Sequence, residues 1–137
     1  MGGDILEVKR AVGSDKRIGS GHLNPSVGFG GSCFRKDVLS LIYILQSEGL
    51  HEAAQFWNAT LKVNEWQKRR LSARVLAEVP PSATAITLLG LAYKKNTSDT
   101  RETPTVTVLA ELLKNLGPRP CELRLYDPHV SEHSFLK

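Results

Sequence analysis

Cysteine is scarce. Cys33 and Cys121 are the only two in 137 residues. No Cys-x-x-Cys pair or Cys/His cluster has zinc-ligand spacing, so no metal site is expected. A bond between the two thiols stays open, but no secreted disulfide framework is in view. The opening Met1-Gly2-Gly3-Asp4 lacks a signal-peptide pattern. Leu6 stands where N-myristoylation would want Ser or Thr. No apolar run approaches the roughly 18 residues of a membrane span. A reduced, cytoplasmic setting away from membranes is the expectation. Excess charge of one sign is also lacking. Lys and Arg total 18 against 14 Asp and Glu, a net charge of +4. So mild a balance suits an anionic small ligand as well as nucleic acid and decides little. Finally, no Gly-x-Gly-x-x-Gly occurs, and the nearest approach, Gly28 to Cys33, follows no strand. No dinucleotide-binding strand–turn–helix of the usual kind is expected.

What the chain does have is Gly28-Phe29-Gly30-Gly31-Ser32-Cys33-Phe34-Arg35-Lys36-Asp37. Glycines at that density let the backbone take positive φ and approach a ligand closely. A thiol set there can meet a substrate carbon. Lys36 is a cation that favours the thiolate, and Asp37 can handle a proton or a water. The residues point to a cysteine nucleophile.

A composition of 41% hydrophobic and 23% charged residues suits a folded chain of one domain or two small pieces. Ile5, Val8 and Val12 mark a short amphipathic helix ending at Gly13. After the glycine loop, Val38, Leu41, Ile42 and Leu45 mark a second, stopped at Gly49. From His51 to about Val79 neither Gly nor Pro occurs. That stretch is predicted to be one long helix, about 40 Å at 1.5 Å per residue, ended by Pro80-Pro81. A helix longer than a small domain is wide points to a subunit interface. Its cations, Lys62, Lys68, Arg69, Arg70 and Arg74, come with no nucleic-acid motif. Solvation or ion pairing with Glu65 and Glu78 explains them, and Trp57 and Trp66 are expected to pack. Strand 84–89, a polar loop 91–103, a helix with Thr103 as N-cap and Pro104 at N1, and strand 123–126 make a βαβ unit. Its strands should be parallel, with a ligand beyond their carboxyl ends. Cys121 is expected to be structural. His22, His51, His129 and His133 form no constellation.

Gly28 to Val38 resembles the active-site cysteine segment of the UDP-glucose/GDP-mannose dehydrogenase family. The match extends through Asp15-Lys16-Arg17-Ile18-Gly19, Asn64 to Arg70, Leu89 to Glu102, and Tyr126-Asp127-Pro128. Nearly the whole chain is covered, in family order. Phe29 and the run Ser32-Cys33-Phe34 favour the UDP-glucose branch. The resemblance implies a mainly α chain with a partial α/β unit. Residues 1–80 would hold the end of a catalytic region and a central helical dimerisation domain. Residues 81–137 would begin a truncated Rossmann-like UDP-binding domain. It further implies an NAD-dependent, four-electron oxidation of a UDP-sugar, UDP-glucose to UDP-glucuronate, through a thiohemiacetal and thioester on Cys33.

By the same resemblance, Asp37 and Lys36 assist catalysis. Asn24, Pro25, Ser26, Val27, Gly28, Phe29 and Gly30 line the sugar pocket. Arg17 reaches a substrate on a neighbouring subunit. Tyr93 and Lys94 close on the nucleotide sugar. Cys33, Phe34, Arg35, Lys36 and Arg101 face the cofactor, with Arg101 on the NAD pyrophosphate. Asn24 stands where some members carry Lys, and Arg35 where Gln is frequent. A homodimer or higher homo-oligomer through helix 51–79 is implied, with no nucleic acid and no membrane. The family's N-terminal NAD domain has no counterpart here, so this chain alone is expected to be inactive. The alternatives are a non-catalytic dimerisation or nucleotide-binding module, or a GDP-mannose-type enzyme.

Overall fold

In the computed structural model, residues 2–21, 23–118 and 120–135 are described; His22 lies outside them. The elements run α1 (Ile5–Gly13), α2 (Phe34–Ser47), α3 (His51–Glu78), β1 (Ala85–Leu89), α4 (Pro104–Asn115), β2 (Glu122–Tyr126) and α5 (Glu132–Phe135). About half the chain is helical, beside one small sheet of two strands. The short α5 had no apolar periodicity to announce it, and the sequence did not predict it.

Local chemistry sets the boundaries. The Asp4 carboxylate accepts the Leu6 amide at 2.7 Å and caps α1. Gly49 takes φ +74 after α2. The Leu50 amide then turns back to the Leu45 carbonyl at 2.8 Å, so the chain reverses at once into α3. Thr103 caps α4 through its side chain, with Pro104 at the first helical position. Strands β1 and β2 pair in parallel, from Ala85 opposite Glu122 to Leu89 opposite Tyr126, with α4 as the crossover.

The 28 residues of α3 span about 42 Å at 1.5 Å per residue, and the helix joins two apolar clusters. Its first half packs on α2, where Val38, Ile42 and Ala54 are buried with Leu45, Trp57 and Leu61 around them. Its second half packs on α4, where Val108, Leu112 and Leu116 are buried against Leu71, Val75, Ile86, Leu88 and Leu123. Cys121 belongs to this second cluster, as expected of a structural cysteine. Between the clusters the buried face of α3 turns polar, with Asn64, Lys68 and Ser72 at intervals of four on one side.

The other α3 cations pair as the sequence suggested. Arg74 meets Glu78 at 2.8 Å and Lys68 meets Glu65 at 2.7 Å, while Arg69 adds a 3.7 Å contact to Glu111 on α4. Trp57 packs, but Trp66 does not. Its ring is exposed and carries the Arg70 guanidinium at 5.4 Å, a cation–π contact in place of core packing. Among the described residues α1 packs on no other helix or strand, and Ile5, Leu6, Val8 and Val12 stay exposed. No helix of the described residues is long and apolar enough to cross a membrane.

Adjacent leucines test the second cluster. Leu112 is 1% exposed and Leu113 is 62% exposed. Leu112→Ala should cost about 2–5 kcal/mol of stability, and Leu113→Ala no more than about 0.5 kcal/mol. Urea unfolding of the two variants measures both; equal costs would contradict this packing.

Candidate functional site

The glycine loop sits on the polar stripe of α3. The Asn64 side-chain oxygen accepts the Phe29 amide at 2.8 Å, and its Nδ2 donates to the Phe29 carbonyl at 3.1 Å. One carboxamide thus satisfies both backbone groups of Phe29. Gln67 Nε2 donates to the Ser26 carbonyl at 3.3 Å. Gly28 lies against the same stripe with φ +140. A Cβ there would stand 2.7 Å from Asn64 Oδ1 and 3.2 Å from Lys68 Cγ. Only glycine combines that backbone with that approach. The buried Lys68 lays its stem beneath Gly28 and sends its ammonium to Glu65.

The loop between β1 and α4 closes the other side. The Gly31 amide donates to the Arg101 carbonyl at 2.9 Å. Gly31 takes φ +90, and a Cβ there would meet the Tyr93 ring at 2.8 Å. At Gly30 a Cβ would run into the Glu102 carbonyl. Glu102 itself holds φ +52, an uncommon conformation for a residue with a side chain. The loop is anchored at its base by Asp127, which follows β2. Its carboxylate accepts the Leu91, Ala92 and His129 amides at 2.8, 3.2 and 2.8 Å. Those donors, Leu91 first, hold its carboxyl below the usual range.

Beyond the carboxyl ends of the strands opens a cleft of about 860 Å³. It lies where a parallel sheet of this connectivity places a ligand. Ser26, Val27, Gly28, Phe29, Gly30, Tyr93 and Lys94 all line it. Lys95, Asn96, Thr97 and His129 add further polar groups to its wall. The Lys94 ammonium stands over the Tyr93 ring at 5.3 Å.

The other expected site residues are not cleft walls. Cys33 is exposed and occupies the N-cap position of α2, with its Sγ 3.6 Å from Ser32 Oγ. The Asp37 amide donates to the Cys33 carbonyl at 3.0 Å, so the carboxylate follows one turn later. Lys36 Nζ and Asp37 Oδ1 are 4.0 Å apart, both well exposed. The Phe34 ring meets the Phe29 ring edge-on, with centroids at 4.7 Å. Arg35 reaches Glu102 at 3.7 Å. Asn24 receives the Lys9 ammonium at 2.6 Å and is tied to α1. Pro25 is exposed.

Arg17 and Arg101 are held in the same way. Each donates its amide to the carboxylate two residues earlier, Asp15 or Asp99, at 2.9 Å. Each also closes a guanidinium fork on that carboxylate, with Nη2 at 2.6 Å. The Arg101 hydrogen bonds bring the Asp99 carboxyl down to about 2. Arg101 is raised in turn, chiefly by its hydrogen bonds to Asp99.

Asn64, Gln67, Lys68, Glu102 and Asp127 shape the site without having been singled out for it. For Asn64 and Lys68 a signal existed. With Ser72 they stand four apart on a helix face otherwise apolar, which marks a place where that face meets polar groups. No group of three or more His, Cys, Asp and Glu side chains among the described residues could hold a metal ion.

The depressed Asp99 gives the loop a pH signature. Its contribution should be fully present above about pH 4 and be lost as pH falls through about 2. Carboxyl NMR titration should place the Asp99 midpoint near 2. In Arg101→Ala it should return towards the ordinary 3.8. An unchanged midpoint in that variant would contradict the staple.

Two models of one family match the chain. The central domain of the UDP-glucose/GDP-mannose dehydrogenase family covers residues 1–66, and its UDP binding domain covers residues 87–136. UDP-glucose 6-dehydrogenase 1 of Arabidopsis thaliana is 48% identical over 136 residues, which are 98% of this chain and 27% of the relative. UDP-glucose 6-dehydrogenase of Drosophila melanogaster is 47% identical over 137 residues, 98% of this chain and 28% of the relative. The structure of a UDP-glucose dehydrogenase from Pyrobaculum islandicum superposes with a TM-score of 0.74 at 38% identity, over 93% of this chain and 28% of that one. A GDP-mannose dehydrogenase from Pseudomonas aeruginosa superposes with a TM-score of 0.68 at 27% identity, over 92% of this chain and 27% of that one. The chain therefore spans a little over a quarter of the curated relatives it matches. With both of its matched regions in family order around one glycine-bound thiol, the chain belongs to the UDP-glucose/GDP-mannose dehydrogenase family.

Proposed function

We propose that this chain is the thiol-bearing piece of an NAD-dependent UDP-glucose 6-dehydrogenase. It would join the central helical region to the start of a UDP-binding, Rossmann-like unit. One observation carries the reading. The glycine loop is pinned between α3 and the 91–103 loop, with a cation-walled cleft on its near side and the exposed Cys33 two residues beyond Gly31. Lys94 and Lys95 suit the phosphates of a nucleotide sugar, and the wall from Ser26 to Gly30 would lie along its sugar.

In this proposal the C6 alcohol first gives up a hydride and a proton; Cys33 Sγ then adds to the resulting aldehyde carbon, and its proton goes to the new alkoxide. Loss of a hydride and a proton from that thiohemiacetal leaves a thioester. Water then adds at the same carbon and expels the thiol, giving the carboxylate. A thiolate serves both as a nucleophile and as a leaving group. Asp37, one helical turn along, is placed to take a proton from the attacking water. NAD, when bound, supplies the hydride acceptor for the two oxidations. The side chains of Arg35, Lys36 and Arg101 are exposed, and their donors suit a pyrophosphate. None of the three lines the cleft. They would form one wall of a cofactor site.

For assembly, we propose a homodimer through α3. Phe29, Phe56, Ala59, Thr60 and Val63 line an apolar groove along it, with Phe56 and Val63 exposed. Such a surface favours burial against a second helix.

Iodoacetamide labelling, read by mass at each cysteine, tests the site. UDP-glucose should slow labelling of Cys33 several-fold and leave Cys121 unchanged, and sedimentation should give the mass of a dimer. The chain by itself should reduce no NAD. Unprotected Cys33 would leave only a non-catalytic module; protection by GDP-mannose alone would move the substrate to the other branch.

A further inference from the structure

We infer that Asn64 is a positioning residue for the reactive thiol. It acts from the long helix, thirty-one residues from Cys33 in sequence, and bonds to the Phe29 backbone beside Gly28, not to the thiol. The inference goes beyond the proposed function, because it concerns how the thiol is held whatever it attacks.

A loop with three glycines in four positions has many accessible conformations and loses much entropy when it is fixed. Something must hold it. Asn64 is 6% exposed and gives both faces of its carboxamide to one residue, accepting from the Phe29 amide and donating to the Phe29 carbonyl. This is the pairing a neighbouring β-strand would give. It fixes the orientation of the Phe29 peptide groups, not merely their distance.

The consequences run towards Cys33 along two routes. Through the backbone, Gly30 is wedged against the Glu102 carbonyl and the Gly31 amide is tied to Arg101, so the chain enters α2 in a set direction. Through side chains, the Phe29 ring abuts the Phe34 ring, whose residue follows the thiol directly. Cys33 has no side-chain cap bond of its own in α2. Its place at the N-terminus of the helix depends on the loop that delivers it. Phe29 also lines both the large cleft and the apolar groove of α3. The Asn64 clamp is therefore the joint between those two surfaces.

Carboxamide chemistry makes the claim specific. Asn64→Asp keeps an acceptor for the Phe29 amide but sets a carboxylate oxygen against the Phe29 carbonyl. Asn64→Ala removes both bonds. The test measures the iodoacetamide rate at Cys33 in the intact chain, with Val108→Ala as a control that weakens the second cluster. In both Asn64 variants the Cys33 rate should fall by about threefold or more. In Val108→Ala it should stay at the parent value. An unchanged or increased Cys33 rate in the Asn64 variants overturns the inference, and so does an equal fall in the control. UDP-glucose plays no part in this measurement, so its outcome is independent of the substrate assignment.

Discussion

The two-way hydrogen bond between the Asn64 carboxamide and the Phe29 backbone is the constraint on which the site depends. Without it the glycines would be a liability. With it, their freedom becomes useful. Gly28 can pass within contact of α3, Gly30 can face the Glu102 carbonyl, and Gly31 can slide under the Tyr93 ring. Each of those approaches excludes a side chain, and together they place a thiol at the start of a helix. A buried polar residue is ordinarily costly unless its partners are supplied. Here Asn64 is supplied with two, and in return it orders a segment that has no secondary structure of its own.

The same helix does structural work on both sides of that bond. Ala54, Trp57 and Leu61 hold α2, while Leu71, Val75 and Leu76 hold α4 and the sheet. The polar stretch between them is where the glycine loop crosses. Because α2 carries Cys33 and the sheet carries the cleft, α3 sets the distance between thiol and ligand. Asp127 performs a related task at the sheet, gathering the Leu91 and Ala92 amides so that the loop bearing Tyr93 and Arg101 starts in a fixed direction.

Much of this was legible in the sequence. The helix stops at Gly49 and Gly117, the Thr103-Pro104 start, the unbroken run from His51 to Glu78 and the parallel strands all follow from local chemistry and periodicity. Ser26 to Gly30, Tyr93 and Lys94, which the sequence singled out together, line one cleft. What stayed hidden was of another kind. The spacing of Asn64, Lys68 and Ser72 marks a polar stripe, but not what crosses it, because the Asn64 partners are Phe29 backbone atoms thirty-five residues away in sequence. Trp66 looked like core, because an aromatic at helical spacing carries no mark of the face it will leave exposed. Arg17 and Arg101 were visible as isolated cations, but the carboxylate two residues before each one fixes the guanidinium, and that geometry is a matter of backbone turns.

Amide hydrogen exchange at Phe29 and Gly31 tests the central claim most directly. Both amides have a single partner in the clamp, Asn64 for the first and the Arg101 carbonyl for the second. If the loop is held as described, they exchange as slowly as the interior amides of α2. Exchange at the rate of an open loop, with α2 still protected, would contradict it.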